Sequence, residues 1–289
     1  MSDAQGRYIE FCKSSFTDLD LNGLSILLDC ANGATYSVAP KVFSELGANI
    51  ETIGASPDGI NINQNCGSTS PNALKEAIIK GSYDIGIAFD GDGDRILIVN
   101  SDGDILDGDD ILYILSKEIP ANSGVVGTLM TNKALELYFQ NEGIEFSRAD
   151  VGDKYVLQRL IERSWSLGGE PSGHIICLDS APTGDAIVAA LKFLNAIKDK
   201  GFSIEKSLEG FKKFPQTLIN LKVNNPNKII ISDKFWEKVT EIELQLGEDG
   251  RVLIRPSGTE PLIRIMVESK DSGISENLCN SLADLAQRI

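Results

Sequence analysis

The stretch Asp90-Gly91-Asp92-Gly93-Asp94-Arg95 constrains this chain more than any other. Three carboxylates at alternate positions repel one another, so the loop is costly to form unless a cation sits among them. The flanking runs are apolar, Tyr83–Phe89 before and Ile96–Val99 after, and both read as strands. The carboxylates therefore fall on a loop at a strand end, where open α/β sheets place their chemistry. Hard oxygen ligands on a small, tight loop point to Mg²⁺ at Asp90, Asp92 and Asp94 rather than to a soft metal. The glycines allow backbone conformations that other residues resist.

Other readings of these residues compete. A solvated acidic turn is the plainest, since Asp and Gly favour turns anyway. An EF-hand calcium loop fails on spacing: counted from Asp90, the sixth position is Arg95 instead of Gly and the twelfth is Ser101 instead of Glu. A strand followed by Asp90-x-Asp92 also resembles the opening motif of the haloacid-dehalogenase phosphatases, with Asp90 as nucleophile and Asp92 as acid/base. Asp94 stands where that family usually has Thr or Val.

A length of 289 residues allows two or three domains. The net charge of −15 argues against nucleic acid or an anionic membrane as a partner. It does not argue against anionic small molecules, which local Arg and Lys decide. Cys12, Cys30, Cys66, Cys177 and Cys279 are scattered and lack metal-ligand spacing, so they are expected to be free thiols in a reducing cytoplasm. The polar start of the chain predicts no signal peptide, and no apolar run reaches the roughly 18 residues of a membrane span.

Along the chain, strands at 24–30 and 49–53, helices between them and after Pro71, and the strand before Asp90 give the order β-α-β-α-β. That order predicts an α/β domain with a largely parallel sheet. Asp102-Gly103 turns a hairpin back from Ile96–Asn100. A second unit opens at Asp107-Gly108-Asp109-Asp110, an acidic helix cap, and repeats a similar α/β order through the apolar helix 186–198. It suggests an internal structural repeat. The tail reads as strand, helix, two strands and helix, with Pro215 inside its first strand (212–223) and marking an edge. The expected fold is α/β: two similar βαβ-type domains with mixed sheets, at 1–106 and 107–215, followed by a small α+β domain at 216–289.

Two further loops are equipped for chemistry. Arg255-Pro256-Ser257-Gly258-Thr259-Glu260 offers a guanidinium, two hydroxyls and free N–H groups around a glycine, suited to cradling a phosphate. An ordinary polar hairpin turn would have the same composition. Gly168-Gly169-Glu170-Pro171-Ser172-Gly173-His174 reads as a turn before a strand and holds the chain's one histidine. Glu170 and Ser172 could hydrogen-bond sugar hydroxyls. Val151-Gly152-Asp153-Lys154 places a lysine at a helix start, where a solvated role is the plain expectation.

Asp90–Arg95, Gly169–His174 and Arg255–Pro261, in that order, resemble the α-D-phosphohexomutase family. Within it, Gly6–Phe11, Asp29–Ala34 and Arg255–Pro261 resemble the bacterial amino-sugar branch. The resemblance covers the whole chain, and the ordered set of motifs is far more specific than any one. It implies that Asp90, Asp92 and Asp94 bind Mg²⁺ together with an oxygen of a phosphoserine, with Arg95 beside that phosphoryl group. It further implies that Glu170 and Ser172 orient the sugar, that Arg255, Ser257, Gly258 and Thr259 grip the non-reacting phosphate, and that Lys154 and His174 lie near the transferring group. The implied reaction interconverts glucosamine 6-phosphate and glucosamine 1-phosphate through a bisphosphorylated sugar, in synthesis of cell-wall precursors. Glucose or mannose phosphates are the alternative substrates within the family, and a non-catalytic sugar-phosphate-binding module is the rival outside the enzyme class. The family's phosphoserine lies in a first domain for which no loop here is a candidate. Ser68 and Ser70 match a second-domain segment instead. The chain is therefore expected to resemble domains two to four, to need that N-terminal domain as a partner, and to be inactive alone. A homodimer is compatible with the sequence, which does not fix the oligomeric state.

Overall fold

The structure is a computed structural model that describes residues 3–223, 225–257 and 261–289. Gly258 and Thr259 of the expected phosphate loop lie outside the described residues. The chain forms two compact units, one of residues 1–131 with 138–211 and the other of residues 132–137 with 212–289.

The first unit begins with helix α1 (Ala4–Ser14), capped by the Asp3 carboxylate on the Gly6 N–H. Strands β1 (Ser25–Asp29) and β2 (Asn49–Ile53) flank α2 (Ala39–Glu45), and α3 (Asn72–Lys80) leads into β3 (Ile85–Phe89). Strand β4 (Ile96–Asn100) then returns antiparallel and turns at Gly103 into β5 (Ile105–Leu106). The sheet order is β2-β1-β3-β4-β5, with β1 parallel to both β2 and β3. All five residues of β3 are buried, as expected of a central parallel strand covered on both faces. Leu27, Ala88 and Val99 of this sheet pack on Leu74 and Ile78 of α3.

The second sheet of this unit repeats the scheme. Helix α4 (Gly108–Leu115) opens with a capping box at Asp107, which accepts from Asp109 and Asp110 N–H while Asp110 accepts from Asp107 N–H. Strand β6 (Gly124–Thr128), α5 (Lys133–Glu142, whose first half up to residue 137 belongs to the second unit), β7 (Glu145–Ala149), α6 (Asp153–Arg163), β8 (Leu167–Gly169) and β9 (Ile175–Cys177) follow, then α7 (Ala186–Ile197) and α8 (Ile204–Leu208). The order is β7-β6-β8-β9, parallel except for β9. Strand for strand this matches β2-β1-β3-β4, so the expected internal repeat is present in topology. Helix α7 is apolar nearly all round because it packs against α1, α4, β4 and β9 at once.

The second unit places β10 (Gln216–Lys222), α9 (Pro226–Ile230), α10 (Asp233–Leu246), β11 (Gly250–Pro256), β12 (Leu262–Ser269) and α11 (Ser272–Gln287) in an antiparallel α+β arrangement of order β10-β12-β11. Phe235, Val239, Ile242, Ile263, Ile265, Cys279 and Leu282 form its core. Within β12 the fully buried Glu268 accepts from Arg251, from Gln216 and from the Lys133 N–H. These donors offset the cost of burying the carboxylate.

Two sequence expectations change. Pro215 lies just before β10 instead of inside it, because proline has no N–H for the ladder. β10 is nonetheless an edge strand. Gly168 and Gly169 belong to strand β8 instead of a turn. A Cβ on Gly168 would stand 2.9 Å from the Val126 carbonyl oxygen and from Val156, and one on Gly169 would stand 2.8 Å from the His174 carbonyl oxygen. The glycines serve close packing there. Among the described residues no helix is long and apolar enough to cross a membrane.

All five cysteines are free and buried. Burial pushes Cys30 and Cys177 up to about 12 and Cys12 and Cys279 up to about 11, and it raises Cys66 as well. The reactive thiolate is thus scarce at neutral pH. A thiol-specific disulfide reagent at a pH of about 8, near the ordinary cysteine value, is expected to modify none of the five within minutes in folded protein and all five in denaturant. As the pH is raised further, Cys66, the most exposed of them at 7%, should react first. Peptide mapping after quenching checks the order.

Candidate functional site

The Asp loop is built around one buried carboxylate. Asp90 follows β3 directly and has no exposed surface. Its Oδ1 accepts from the N–H groups of Gly93, Asp94 and Arg95 at 3.2, 3.1 and 3.1 Å, and its Oδ2 accepts from Arg95 Nε at 2.6 Å. Burial alone would raise Asp90, but the Arg95 N–H and guanidinium outweigh it and hold the carboxyl below its ordinary value. Asp94 moves the other way, raised first by burial and then by the neighbouring Asp90. One carboxylate oxygen from each of Asp90, Asp92 and Asp94 comes within 4.8 Å of the others. Three hard oxygen donors in that space, with mutual repulsion to relieve, fit a divalent cation of the Mg²⁺ type.

The loop after β1 closes against it. Ala31 and Asn32 both have positive φ, 54° and 48°, and the buried Asp29 holds the turn by accepting from the N–H groups of Ala31 and Gly67. Ala34 N–H donates to the Gly91 carbonyl at 2.8 Å. A Cβ on Gly33 would stand 2.2 Å from that same oxygen, so only glycine fits.

The second loop, Glu170–His174, occupies the matching place after β8. It meets the Asp loop through main chain: Ile96 N–H donates to the Gly173 carbonyl at 3.0 Å, and Arg95 and His174 form an antiparallel bridge. His174 is buried, and its Nδ1 lies 3.1 Å from Asp94 Oδ2 across 80 residues of sequence. Glu170 accepts from the Gly152 N–H at 2.9 Å, and Ser172 Oγ lies 3.4 Å from its other oxygen. Gly152 opens α6, so Glu170 occupies the anion-favouring end of that helix. Lys154 stands in the first turn of α6, exposed, with its ammonium 4.6 Å from the centre of the Tyr155 ring. Asp90, Asp92, Asp94, Arg95, Glu170, Ser172 and His174 are thus brought together, whereas Lys154 is tied to them only through the helix end that Glu170 holds.

In the second unit Arg255 is the penultimate residue of β11, and the Ser257 N–H donates to the Leu262 carbonyl at 2.9 Å. Directly across the ladder from Arg255 stands Arg264, whose buried Nε has no hydrogen-bond partner among the described residues. Two arginines opposed across a ladder suit a dianion. Arg264 has no motif of its own in the sequence; its place in the register of two strands flanking the Pro-Ser-Gly-Thr turn is the signal that points to it.

Comparison with known proteins places these loops in a family. Residues 6–103 match phosphoglucomutase/phosphomannomutase alpha/beta/alpha domain II, residues 107–214 match domain III, and residues 218–285 match the C-terminal domain. The chain belongs to the phosphoglucomutase/phosphomannomutase family. It is 48% identical over its whole length to a phosphoglucosamine mutase of Legionella pneumophila strain Corby and 50% identical to one of Aeromonas hydrophila. It spans 66% and 65% of those two proteins, just under two thirds of their length. Among solved structures it is similar to an Aspergillus fumigatus N-acetylphosphoglucosamine mutase in complex with GlcNAc-6P and magnesium. That likeness has a TM-score of 0.80 at 19% identity and covers 98% of this chain and 65% of that one. A Burkholderia thailandensis protein of the phosphoglucomutase/phosphomannomutase family gives 0.81 at 23% identity, covering 99% and 65%. At such identities these two likenesses show the fold.

The junction of the two loops has no room for a side chain at Gly173, where φ is +91° and a Cβ would stand 2.0 Å from the Ile96 carbonyl oxygen. Gly173→Ala is expected to destabilise the protein by about 2–3 kcal/mol, the cost of overpacking a closed site. Gly143→Ala, at a positive φ of 69° in open space, should cost only about 1 kcal/mol. Urea unfolding of the two variants separates crowding from backbone strain.

Proposed function

We propose that residues 1–289 are the metal-, sugar- and phosphate-binding part of a phosphoglucosamine mutase, an isomerase that interconverts glucosamine 6-phosphate and glucosamine 1-phosphate through a bisphosphorylated sugar. The observation that carries the reading is the main-chain junction of the three-carboxylate loop with the Glu170–His174 loop. It puts candidate cation ligands beside candidate sugar ligands. The amino-sugar preference is supported by the 48–50% identity to phosphoglucosamine mutases, and the cation by the magnesium named for the Aspergillus neighbour.

In this reading Asp90, Asp92 and Asp94 hold Mg²⁺, which neutralises charge on a phosphoryl group. Arg95 keeps Asp90 ionised and turned inward. Glu170 and Ser172 accept and donate to sugar hydroxyls, and Arg255, Ser257, Gly258 and Thr259, with Arg264, grip the phosphate that does not react. Lys154 and His174 are the candidates for moving a proton between serine and sugar oxygen. Phosphoryl transfer needs such positioning and charge neutralisation more than it needs further covalent chemistry. The phosphoserine would be supplied by sequence outside the matched domains. The phosphatase reading, with a nucleophilic Asp90, is disfavoured by the 48–50% identity to phosphoglucosamine mutases along the chain and by the match of residues 6–103 to domain II of the phosphoglucomutase/phosphomannomutase family.

A mutase must keep a phosphoryl donor between turnovers, so purified residues 1–289 are expected to give no conversion of glucosamine 6-phosphate, even with a sugar bisphosphate present. Joining a first domain from a full-length relative should restore turnover, and changing its serine to alanine should remove it again. Calorimetry should show Mg²⁺ binding that is lost in Asp92→Asn. Robust mutase activity of residues 1–289 alone would overturn the placing of the nucleophile outside these residues and direct attention to Ser68, Ser70 and Ser172.

Arg255→Ala is expected to weaken glucosamine 6-phosphate binding by about 1.5–3 kcal/mol, the range for a hydrogen bond to a charged group. Equal affinity in variant and parent would remove Arg255 from the site.

A further inference from the structure

Behind the Asp loop, a chain of contacts runs from the N-terminal helix to the peptide between Asp92 and Asp94. The Tyr8 hydroxyl on α1 lies 2.8 Å from each carboxylate oxygen of Asp185, a residue 177 positions away. Asp185 caps α7 by accepting from the N–H groups of Ile187 and Val188 at 3.1 and 3.0 Å. The cap leaves the first helical N–H, that of Ala186, to donate to the Gly93 carbonyl at 2.9 Å. Gly93 has a φ of +78° and sits between the second and third carboxylates. On the other side of Asp185, Gly184 lies so close to the His174 ring that a Cβ would stand 2.4 Å from it, and His174 in turn touches Asp94.

Packing fixes the loop on this side only in part, through Thr35, whose methyl would stand 2.7 Å from a Cβ on Gly93. A cleft of about 240 Å³, lined among others by Tyr8, Thr35, Asp92, Asp94 and Asp185, separates the strut from the carboxylates. Hydrogen bonds through Ala186 and the wedge at Gly184 bridge it. Burial, and then the charge of Asp185, raise the Tyr8 phenol well above its ordinary value, so it remains a donor across the working pH range.

We propose that Tyr8 and Asp185 are positioning residues for the Asp90–Asp94 loop, setting the spacing of its carboxylates through the first turn of α7. The proposal rests on the cation reading above only in its metal readout. Both residues line the cleft that Asp92 and Asp94 also line, and their bonds run to the loop through Ala186 and Gly93.

The test uses residues 1–289 with Mg²⁺ alone as the probe. Tyr8→Phe keeps the ring and removes the donor. It is expected to weaken Mg²⁺ binding in calorimetry about tenfold, the lower end of the effect of partners behind metal ligands, and to speed hydrogen exchange at the Gly93, Asp94 and Arg95 amides. Asp185→Ala, which removes cap and acceptor together, should change both in the same direction and serves if the tyrosine variant fails to fold. Tyr83→Phe removes another tyrosine–carboxylate bond, to Glu51, and should leave loop exchange unchanged. A merely structural role for Tyr8 would lower the melting temperature without moving exchange at those three amides. A folded Tyr8→Phe with parental Mg²⁺ affinity and parental exchange in the loop overturns the proposal. Should Asp92→Asn bind Mg²⁺ like the parent, the cation reading fails on its own. Exchange then decides alone: faster loop amides in Tyr8→Phe uphold the strut and unchanged ones refute it.

Discussion

The site depends on the burial of one charge. An ionised carboxylate removed from water costs several kcal/mol unless fixed donors replace its hydration, and Asp90 has no exposed surface. Its donors all come from Gly93, Asp94 and Arg95. The requirement to satisfy Asp90 therefore dictates the path of the chain through Arg95. It turns the Arg95 backbone toward His174 and leaves Asp92 and Asp94 facing the same small space. A shared solution for one inward carboxylate thus creates the outward-facing pair.

The architecture doubles this arrangement. The two sheets of the first unit share strand order and sense, and each carries its equipped loop between a buried parallel strand and its antiparallel return. Arg95 precedes β4 as His174 precedes β9, and these two equivalent positions bridge. The copies have diverged in content, one presenting three carboxylates and the other Glu170, Ser172 and His174. Their common geometry brings both contents to one place.

Much of this was legible in the sequence because it is local. Alternating aspartates between two apolar runs announce a strand-end loop, and Asp107 three residues before Asp110 announces a helix cap. Strand β8 was hidden because Gly168-Gly169 has the composition of a turn, whereas its glycines answer to Val126 and His174 in other strands. The bond between Tyr8 and Asp185 was hidden for a related reason. Each is an ordinary residue in its own neighbourhood, and only the docking of α1 beside α7 brings them together. Arg264 likewise looks like a strand residue until the register sets it opposite Arg255.

At Gly33, Gly108 and Gly173 the wall of the first unit's site is main chain against main chain, with carbonyl oxygens of Gly91, Glu170 and Ile96 where a Cβ would go. Such a wall has no side chain to swing aside. Exposed loops ordinarily fluctuate independently in nanoseconds to microseconds, while collective motions of whole elements take about microseconds to milliseconds. Because the Asp loop and the Glu170–His174 loop are joined by backbone, they relax together with the strands that carry them, on the slower clock. Any small molecule that docks against this wall would therefore meet a surface that is stationary on the timescale of its own rotation.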